Sequence, residues 1–422
     1  MNTNEQSHIL LIAYTFPPAP GIGGRRWAKF AKYLAARGYV VHVITAKSTS
    51  GDTSLWYEDV HGNKNIRICT LPPRYPAALT AASSHGVSAK IRYHFWKRLL
   101  PVIAGGSIYD RSVLWEGAML KAAGKIIREN NIRNVIATGA PFRVLYFSCK
   151  LKELFPGIHL ISDLRDPWTE GKSYGFENLS EKRKEYEVSL EKHVFKNTDV
   201  ITAPSEKILD YLEKHYRPSK VKTTVLPHAF DTDEFAEAVA VSPDPGKVRI
   251  TFVGTVYEHT GHYIEAFMLA LQKIKMSAPV VYDKLSLRFY TWSRNNIVEI
   301  AGKHGVSEKV EMHGPLPPKR MFATLAGSDY VLIIFTEKYK DYISTKFYEI
   351  IYLNRFIIYI GPEGKVSEFI RENNLGIAIS HEEEIEPALV SLLSDVKKSV
   401  PYPHIKDLSF EKITDQLESL FI

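Results

Sequence analysis

Three segments of this 422-residue sequence combine residue types that could bind or transfer a charged group. The first, GIGGRR, places Gly23 and Gly24 directly before a helical stretch that opens with two arginines. Glycines let backbone amides approach an anion closely, and a helix N-terminus adds partial positive charge. The spacing matches neither a dinucleotide fingerprint nor a Walker loop. The segment indicates anion binding, and the alternative is a tight turn with solvated arginines.

The second segment, DLRDPW, brings Asp163, Arg165, Asp166 and Trp168 together directly after a buried strand. Chemistry in parallel α/β sheets lies at the carboxyl ends of strands. We expect Asp163 or Asp166 to hold acceptor hydroxyls or to tune a general base. The same residue types would also serve as a structural ion pair that closes a turn.

The third segment, STKFYE, predicts the start of a helix. Ser344 or Thr345 would be its N-cap, with Lys346 and Glu349 in the first turns. Free amides at such a start favour a phosphate, and Glu349 could accept hydrogen bonds from ribose hydroxyls. The alternative for Glu349 is a capping box or a solvent-facing position.

The elements that position these segments alternate between short apolar strands and helical stretches. The opening unit runs from a strand at 8–14 through a helix at 25–37 to a strand at 40–45, as in a parallel sheet. Further strands of the first half are predicted at 66–70, 135–138, 160–163, 200–203 and 224–226. After an acidic, proline-bearing stretch near Asp231, strands are predicted at 248–253, 285–290, 310–313, 330–335, 356–360 and 376–380.

This alternation predicts an α/β protein made of two Rossmann-like domains with parallel sheets, separated by a cleft in which ligands bind. The N-terminal domain would span residues 1–240 and the C-terminal domain residues 241–403. Residues 404–422 would form a terminal helix that could pack back on the N-terminal domain.

Composition excludes several classes of protein. Hydrophobic residues make up 45% and charged residues 24%, which is typical of a globular chain and not of a fibrous or disordered one. No run of about 18 apolar residues predicts a membrane-spanning helix. Two cysteines, Cys69 and Cys149, support neither a disulfide framework nor a zinc site. Because the N-terminus also lacks the pattern of a signal peptide, we expect a cytoplasmic protein.

Positive charge is concentrated at the front of the chain. Residues 1–150 contain 20 Lys and Arg against 7 Asp and Glu, although the net charge of the whole chain is only +7. Residues 88–103 predict an amphipathic helix with Trp96 at its edge, the pattern of an interfacial anchor. Its basic residues are Lys90, Arg92, Lys97 and Arg98. We expect these residues to face an anionic membrane or the acceptor, and the alternative is an ordinary helix with a solvated face.

Taken in order, these segments resemble the glycosyltransferase family 4-like enzymes of the GT-B fold. The likeness extends to YDRSVLWEGAMLKAA, VITAPSEKI and VLPHAFDTDEF in the first half, and to FVGTVYEHTGHYIEAF and STKFYEIIYLNRFIIYI in the second. The resemblance implies retaining sugar transfer from a nucleotide-sugar donor, held mainly by the C-terminal domain, to an acceptor on the N-terminal domain. It implies no metal ion or other cofactor.

The resemblance also assigns roles to particular residues. Glu349 matches the second glutamate of the family's E-x7-E motif, which holds the donor ribose. Asp341 stands eight residues earlier, where the family has a glutamate that contacts the donor sugar. Gly23 and Gly24 match the loop that closes on the diphosphate.

One departure from the family concerns the loop after the first C-terminal strand. The family's Arg and Lys are missing there, and the segment beginning at Gly254 and Thr255 reads GTVYEHTG. The diphosphate would then depend on Lys346, on the amides at Ser344 and Thr345, or on Arg294. The base would be contacted by backbone around His313 and Gly314.

The predicted function is transfer of a sugar to a lipid-linked saccharide. This reaction would contribute to the assembly of bacterial surface polysaccharide at the inner face of the membrane. Two alternatives remain open: a catalytically silent GT-B scaffold, and a GT-B enzyme acting on a small cytosolic molecule. The missing basic residues and Asp341 favour the scaffold, whereas Gly23, Gly24 and Glu349 favour an enzyme. No aromatic-basic RNA motif is present, so no nucleic-acid partner is expected.

Overall fold

The computed structural model describes residues 7–80, 86–171, 175–217, 220–235, 246–256, 260–397 and 401–422. The chain divides into two compact units. The N-terminal unit comprises Met1–Pro227 together with Phe410–Ile422, and the C-terminal unit comprises His228–Ser409.

The N-terminal unit is built on a seven-stranded parallel sheet. Its strands are β1 (His8–Ala13), β2 (Val40–Ala46), β3 (Ile66–Leu71), β4 (Asn134–Gly139), β5 (His159–Leu164), β6 (Val200–Ala203) and β7 (Lys222–Val225). Its helices in this part of the chain are α1 (Arg25–Ala36), α2 (Val87–Ala104), α3 (Glu116–Asn130), α4 (Arg143–Leu154), α5 (Glu181–Asn197) and α6 (Glu206–Tyr216). The inner strands are continuous apolar runs because helices cover both faces of a parallel sheet.

The strand order β3-β2-β1-β4-β5-β6-β7 reverses direction between β1 and β4. Neighbouring registers align Ala13 with Thr138, and Thr138 with Asp163. The loops that follow β1, β4 and β5 therefore begin side by side at one edge of the sheet. Ligands of open α/β sheets bind at such a reversal point.

The C-terminal unit has a six-stranded parallel sheet with the order β10-β9-β8-β11-β12-β13, which reverses between β8 and β11. Its strands are β8 (Val248–Val253), β9 (Leu285–Tyr290), β10 (Val310–His313), β11 (Tyr330–Ile334), β12 (Phe356–Ile360) and β13 (Gly376–Ile379). Its helices are α7 (Gly261–Ser277), α8 (Pro279–Asp283), α9 (Arg294–Lys303), α10 (Pro318–Ala326), α11 (Thr345–Tyr352), α12 (Lys365–Glu372) and α13 (Ile385–Ser394).

The predicted strands are confirmed, each within two residues at either end. The first predicted helix is also confirmed and ends one residue early, at Ala36. Among the residues that the structure describes, no helix is both long and apolar enough to cross a bilayer.

The division into units falls earlier than residue 240, at Pro227 and His228. The reason is aromatic packing within the C-terminal unit. The Phe230 ring lies 4.4 Å from the Tyr352 ring, and the Phe235 ring lies 4.1 Å from the Phe322 ring. These contacts bind the segment after β7 to the second core.

The last helix, α14 (Phe410–Glu418), belongs to the N-terminal unit. Its Phe410 ring packs edge-on against Phe30 of α1, with 5.3 Å between the ring centres. Arg37 at the end of α1 forms an ion pair of 2.6 Å with Glu418. Residues before Phe410, including Tyr402 and Leu408, pack against the core of the C-terminal unit, so the chain changes unit later than residue 403.

Candidate functional site

The carboxyl edge of the N-terminal sheet contains Asp163, which is completely buried. Its Oδ2 accepts hydrogen bonds from Trp27 Nε1 at 2.8 Å and Thr138 Oγ1 at 3.0 Å. Its Oδ1 accepts from Thr202 Oγ1 at 2.9 Å and from Arg26 Nη2 at 3.3 Å. The role expected of Asp163 is therefore corrected: its oxygens join α1 to strands β4 and β6, and its side chain has no exposed surface for a substrate.

The two arginines of GIGGRR also serve the fold. Arg26 is 3% exposed and donates to the carbonyls of Leu226 at 2.6 Å and Pro227 at 2.9 Å. Arg25, equally buried, lies near the rings of Trp56 and Phe410. Because both arginines are buried, they are neither the solvated side chains of a simple turn nor an accessible positive charge for binding an anion.

The glycine loop of the first segment meets the arginine of the second. Arg165 Nη1 donates to the Gly23 carbonyl, and Nη2 donates to the Ala140 carbonyl at 2.9 Å. A Cβ at Gly23 would stand 2.9 Å from Arg165 Nη1, and one at Gly24 would stand 3.4 Å from the Phe16 backbone. The Gly23 Cβ would meet only the flexible end of the Arg165 side chain and the Gly24 Cβ would be at ordinary contact distance, so packing alone does not require glycine at either position. A role in closing on diphosphate remains a prediction.

Asp166 forms an ion pair with its neighbour Arg165, with 3.1 Å between Oδ2 and Nε. Its side chain is 38% exposed, in contrast to that of Asp163. Of the two carboxylates of DLRDPW, only Asp166 is accessible to a ligand.

A cavity of about 270 Å³ opens at the same edge. Its lining includes Thr15, Ser107, Tyr109, Asp110, Arg111, Phe142, Arg165, Trp168, Phe176 and Glu187. The rings of Trp168 and Phe142 stack 5.1 Å apart and 7° from parallel. The sequence analysis identified Arg165 and Trp168 but missed the other lining residues. Three of these, Tyr109, Asp110 and Arg111, belong to the segment YDRSVLWEG, which was noted only for its likeness to the family.

The acidic residues of this cavity are occupied by donors. Asp110 accepts from the backbone amides of Phe142 at 2.7 Å and Arg143 at 2.9 Å, and from Ser112 Oγ at 2.6 Å. Burial raises the pKa of Asp110, and these hydrogen bonds oppose the rise. Glu187 accepts from Arg143 Nη2 at 3.0 Å and from Trp168 Nε1 at 2.8 Å.

In the C-terminal unit, Lys346 lies in the first turn of α11 and reaches the carboxyl end of β8. Its Nζ donates to the Val253 carbonyl at 3.1 Å, and a Cβ at Gly254 would stand 3.2 Å from the same atom. Burial lowers the pKa of Lys346, while the nearby Glu349 carboxylate opposes that shift. Glu349 is 6% exposed. Three residues predicted for the donor site are thereby brought together.

The start of α11 agrees only in part with the prediction. Ser344 occupies the N-cap position with extended backbone, but its side chain makes no capping hydrogen bond, and Thr345 is the first helical residue. Asp341 lies in the preceding turn and is partly exposed. Thr255, which follows Gly254, is exposed.

The remaining predicted donor contacts lie at the ends of β9 and β10. The His313 ring stacks on Tyr290 with 4.6 Å between centres, and its carbonyl accepts from the Thr291 amide. Gly314 is exposed. Arg294 begins α9, but its side chain lies outside the described part of the structure.

Helix α2 departs from the expected amphipathic helix. Only Ala89, Leu100 and Ala104 are buried along its 18 residues. Apolar and basic side chains are interleaved on one open groove, lined by Val87, Lys90, Ile91, His94, Phe95, Arg98, Leu99 and Val102. Lys90, Arg92, Lys97 and Arg98 are exposed and Trp96 is half-buried, so apolar and charged surface is accessible together.

Comparison with known proteins was made on both sequence and structure. The model of Glycosyltransferase Family 4 matches residues 23–234, which is half of the chain. No curated protein matches the sequence.

Solved structures match along the whole chain. A sucrose-phosphate synthase from Thermosynechococcus elongatus is 14% identical with a TM-score of 0.62, covering 98% of each chain. A glycosyltransferase from Rickettsia africae is 16% identical with a TM-score of 0.61, covering 99% of this chain and 98% of that one. A trehalose-6-phosphate structure from E. coli bound with UDP-2-fluoro glucose is 14% identical with a TM-score of 0.63, covering 98% of each chain. At these identities the likeness establishes the fold.

Proposed function

The chain belongs to Glycosyltransferase Family 4, and from this premise we propose that it transfers a sugar from a nucleotide-sugar donor to a saccharide acceptor with retention of configuration. The observation that supports the proposal is the cluster of Lys346, Glu349 and Gly254 at the carboxyl edge of the C-terminal sheet. Open α/β sheets bind nucleotides at this edge.

Lys346 is suited to the leaving diphosphate. Its ammonium is largely removed from water and donates to a neutral carbonyl, so burial lowers its pKa although the nearby Glu349 carboxylate opposes the shift. A diphosphate placed against Nζ would add a negative partner, and Nζ would stabilise the charge that develops as the glycosidic bond breaks. The amides at the start of α11 would add further donors.

Glu349 is suited to the ribose. It follows Lys346 by one helical turn, so both side chains project from the same face of α11. A carboxylate accepts hydrogen bonds only, and the two ribose hydroxyls are donors. We expect the reaction to need neither a metal ion nor another cofactor, since Lys346 would supply the positive charge.

For the acceptor, we propose a lipid-linked saccharide used in surface polysaccharide assembly, with the protein peripheral on the inner membrane face. The exposed apolar and basic residues of α2 support this proposal. A second candidate is a small phosphorylated sugar. It is favoured by the neighbours in fold, whose names include sucrose-phosphate and trehalose-6-phosphate.

The test of donor binding is a thermal-shift panel of UDP-, GDP-, ADP- and dTDP-sugars. A true donor at 100 times its Kd should stabilise the protein by about 2.7 kcal/mol, and Glu349→Ala should lose most of that shift. Glu383→Ala, an exposed glutamate of the same unit, is the matched control and should retain it.

The same nucleotide-sugars distinguish an enzyme from a scaffold. In a separate hydrolysis assay, slow cleavage of the stabilising donor in the absence of acceptor would support transfer. If none of the four classes shifts the wild type, the donor proposal fails and the scaffold is favoured.

A further inference from the structure

The cavity of the N-terminal unit contains an arginine whose side chain has no partner among the residues that the structure describes. Arg111 lines the cavity and is exposed. Within the described residues it makes no hydrogen bond or ion pair. Burial raises the pKa of Tyr14 and of Tyr75, and the nearby Arg111 guanidinium opposes both rises. A full positive charge therefore stands in the cavity beside neutral phenols.

The acidic side chains of the wall do not neutralise Arg111 by direct contact. Both Asp110 oxygens are occupied by the Ser112 hydroxyl and amide and by two amides at the start of α4. Glu187 is occupied by the Ser107 amide, by Arg143 and by Trp168. Because these acceptors already have donors, the hydrogen-bonding capacity left for a ligand at Arg111 is that of a donor.

Arg165 adds a second guanidinium to the same lining. It is held by the Ala140 carbonyl and Asp166, so its position does not depend on a ligand. The fixed Arg165 guanidinium and the exposed Arg111 guanidinium together suit an oxygen-rich dianion, because arginine forms strong charge-assisted hydrogen bonds with phosphate.

The rest of the lining suits a sugar ring. Trp168 and Phe142 stack on each other and are each only 4% exposed, so the accessible apolar surface comes mainly from Tyr109, which is 51% exposed, and from the partly exposed Phe176. The volume of about 270 Å³ lies just below the range of roughly 300–1,000 Å³ that is typical of small-molecule sites. This volume accommodates one monosaccharide with a small anionic group.

We propose that this cavity binds a phosphate group of the acceptor, with Arg111 as its main ligand. The inference rests on the proposed function, because it names the chemical class of the acceptor. Two acceptors share this chemistry: a saccharide linked to a lipid diphosphate, and a free sugar phosphate. Both would place the phosphate at Arg111 and a ring beside Tyr109 and Phe176.

The experiment measures binding by isothermal titration calorimetry to the full chain. The probes are glucose 6-phosphate, farnesyl diphosphate and uncharged glucose. We expect at least one phosphate-bearing probe to bind about tenfold or more tightly than glucose, and Arg111→Gln to weaken it about 10- to 100-fold. The probe that depends on Arg111 identifies the source of the phosphate.

Arg133→Gln is the matched control, since Arg133 is an exposed arginine of the same unit, placed just before β4 at the opposite edge of the sheet. It should bind each probe as the wild type does. Because Arg111 is exposed and without a protein partner in the described structure, its replacement should leave the melting temperature unchanged.

Donor binding is measured on the same samples. If a nucleotide-sugar binds but neither phosphate probe does, or if Arg111→Gln binds them as tightly as the wild type, the inference is wrong and the proposed function stands. If no nucleotide-sugar binds while a probe still depends on Arg111, the anion site stands and the proposed function fails.

Discussion

At the scale of single residues, the number of hydrogen-bond partners distinguishes the ionisable groups that hold the fold from those available for chemistry. Asp163 has four donors around a carboxylate with no exposed surface. Lys346 is held by one backbone carbonyl, and Arg111 has no protein partner within the described residues. A saturated group is positioned to stabilise, whereas an unsaturated one can still bind a ligand.

The first prediction concerns Asp163. Asp163→Ala should lower the free energy of unfolding by about 3–5 kcal/mol, because it leaves the Arg26 charge buried without its partner. Asp166→Ala, at an exposed ion pair, should cost less than about 1 kcal/mol. Urea denaturation of both variants measures the difference. A stable Asp163→Ala protein that had lost transfer activity would instead restore Asp163 to the acceptor site.

At the scale of elements, α2 stands apart from the other long helices of its unit. It contains no acidic residue, and Val87, Ile91, Phe95 and Val102 are more than half exposed. By contrast, α1 buries nine of its twelve residues against the sheet and α14. An apolar surface left in water beside basic side chains is stabilised by an anionic lipid surface.

The second prediction follows from this surface. The protein should co-sediment with anionic liposomes at low salt and be released as salt rises, because screening weakens the attraction. Ile91→Ser with Phe95→Ser should abolish most of the binding. Met276→Ser with Val280→Ser removes even more exposed apolar side chains from the C-terminal unit and should have no effect. Equal binding to neutral liposomes would contradict the proposal.

At the scale of the whole molecule, the chain crosses between units twice. It leaves the N-terminal unit after Pro227 and returns at Phe410. The returning helix, α14, buries Phe410, Ile413 and Leu417 almost completely. The N-terminal unit therefore needs the last residues of the chain to complete its core.

The third prediction tests this dependence. A chain ending at Ser409 should lose about 4–6 kcal/mol of stability in the N-terminal unit, since three large apolar side chains no longer cover α1. Calorimetry should show one transition shifted down by roughly 10 °C. The transition that responds to the nucleotide-sugar should not move.

The double variant Phe410→Ala, Leu417→Ala keeps the chain length and should shift the same transition. If only the nucleotide-responsive transition moved in either protein, α14 would belong energetically to the C-terminal unit.

The sequence alone predicted the strands and the two parallel sheets, because buried parallel strands are continuous apolar runs that differ sharply from amphipathic helices. It indicated the family through the order of its motifs, which resembles that of family 4-like enzymes. It also predicted that Lys346 and Glu349 lie together, since one helical turn separates them. These features depend on neighbours along the chain.

Only the tertiary structure decided what the charged residues of the motifs do. Arg26 and Asp163 lie 137 positions apart and neutralise each other inside the fold. Arg111 lies in the loop between α2 and α3, where no periodic pattern predicts its surroundings, yet it lines a cavity together with Arg165. The basic residues of the first 150 positions therefore include buried arginines that stabilise the fold, exposed side chains of α2, and Arg111 in the cavity. Charge can be counted in the sequence, but burial and the partners across the fold determine whether that charge is still available to a ligand.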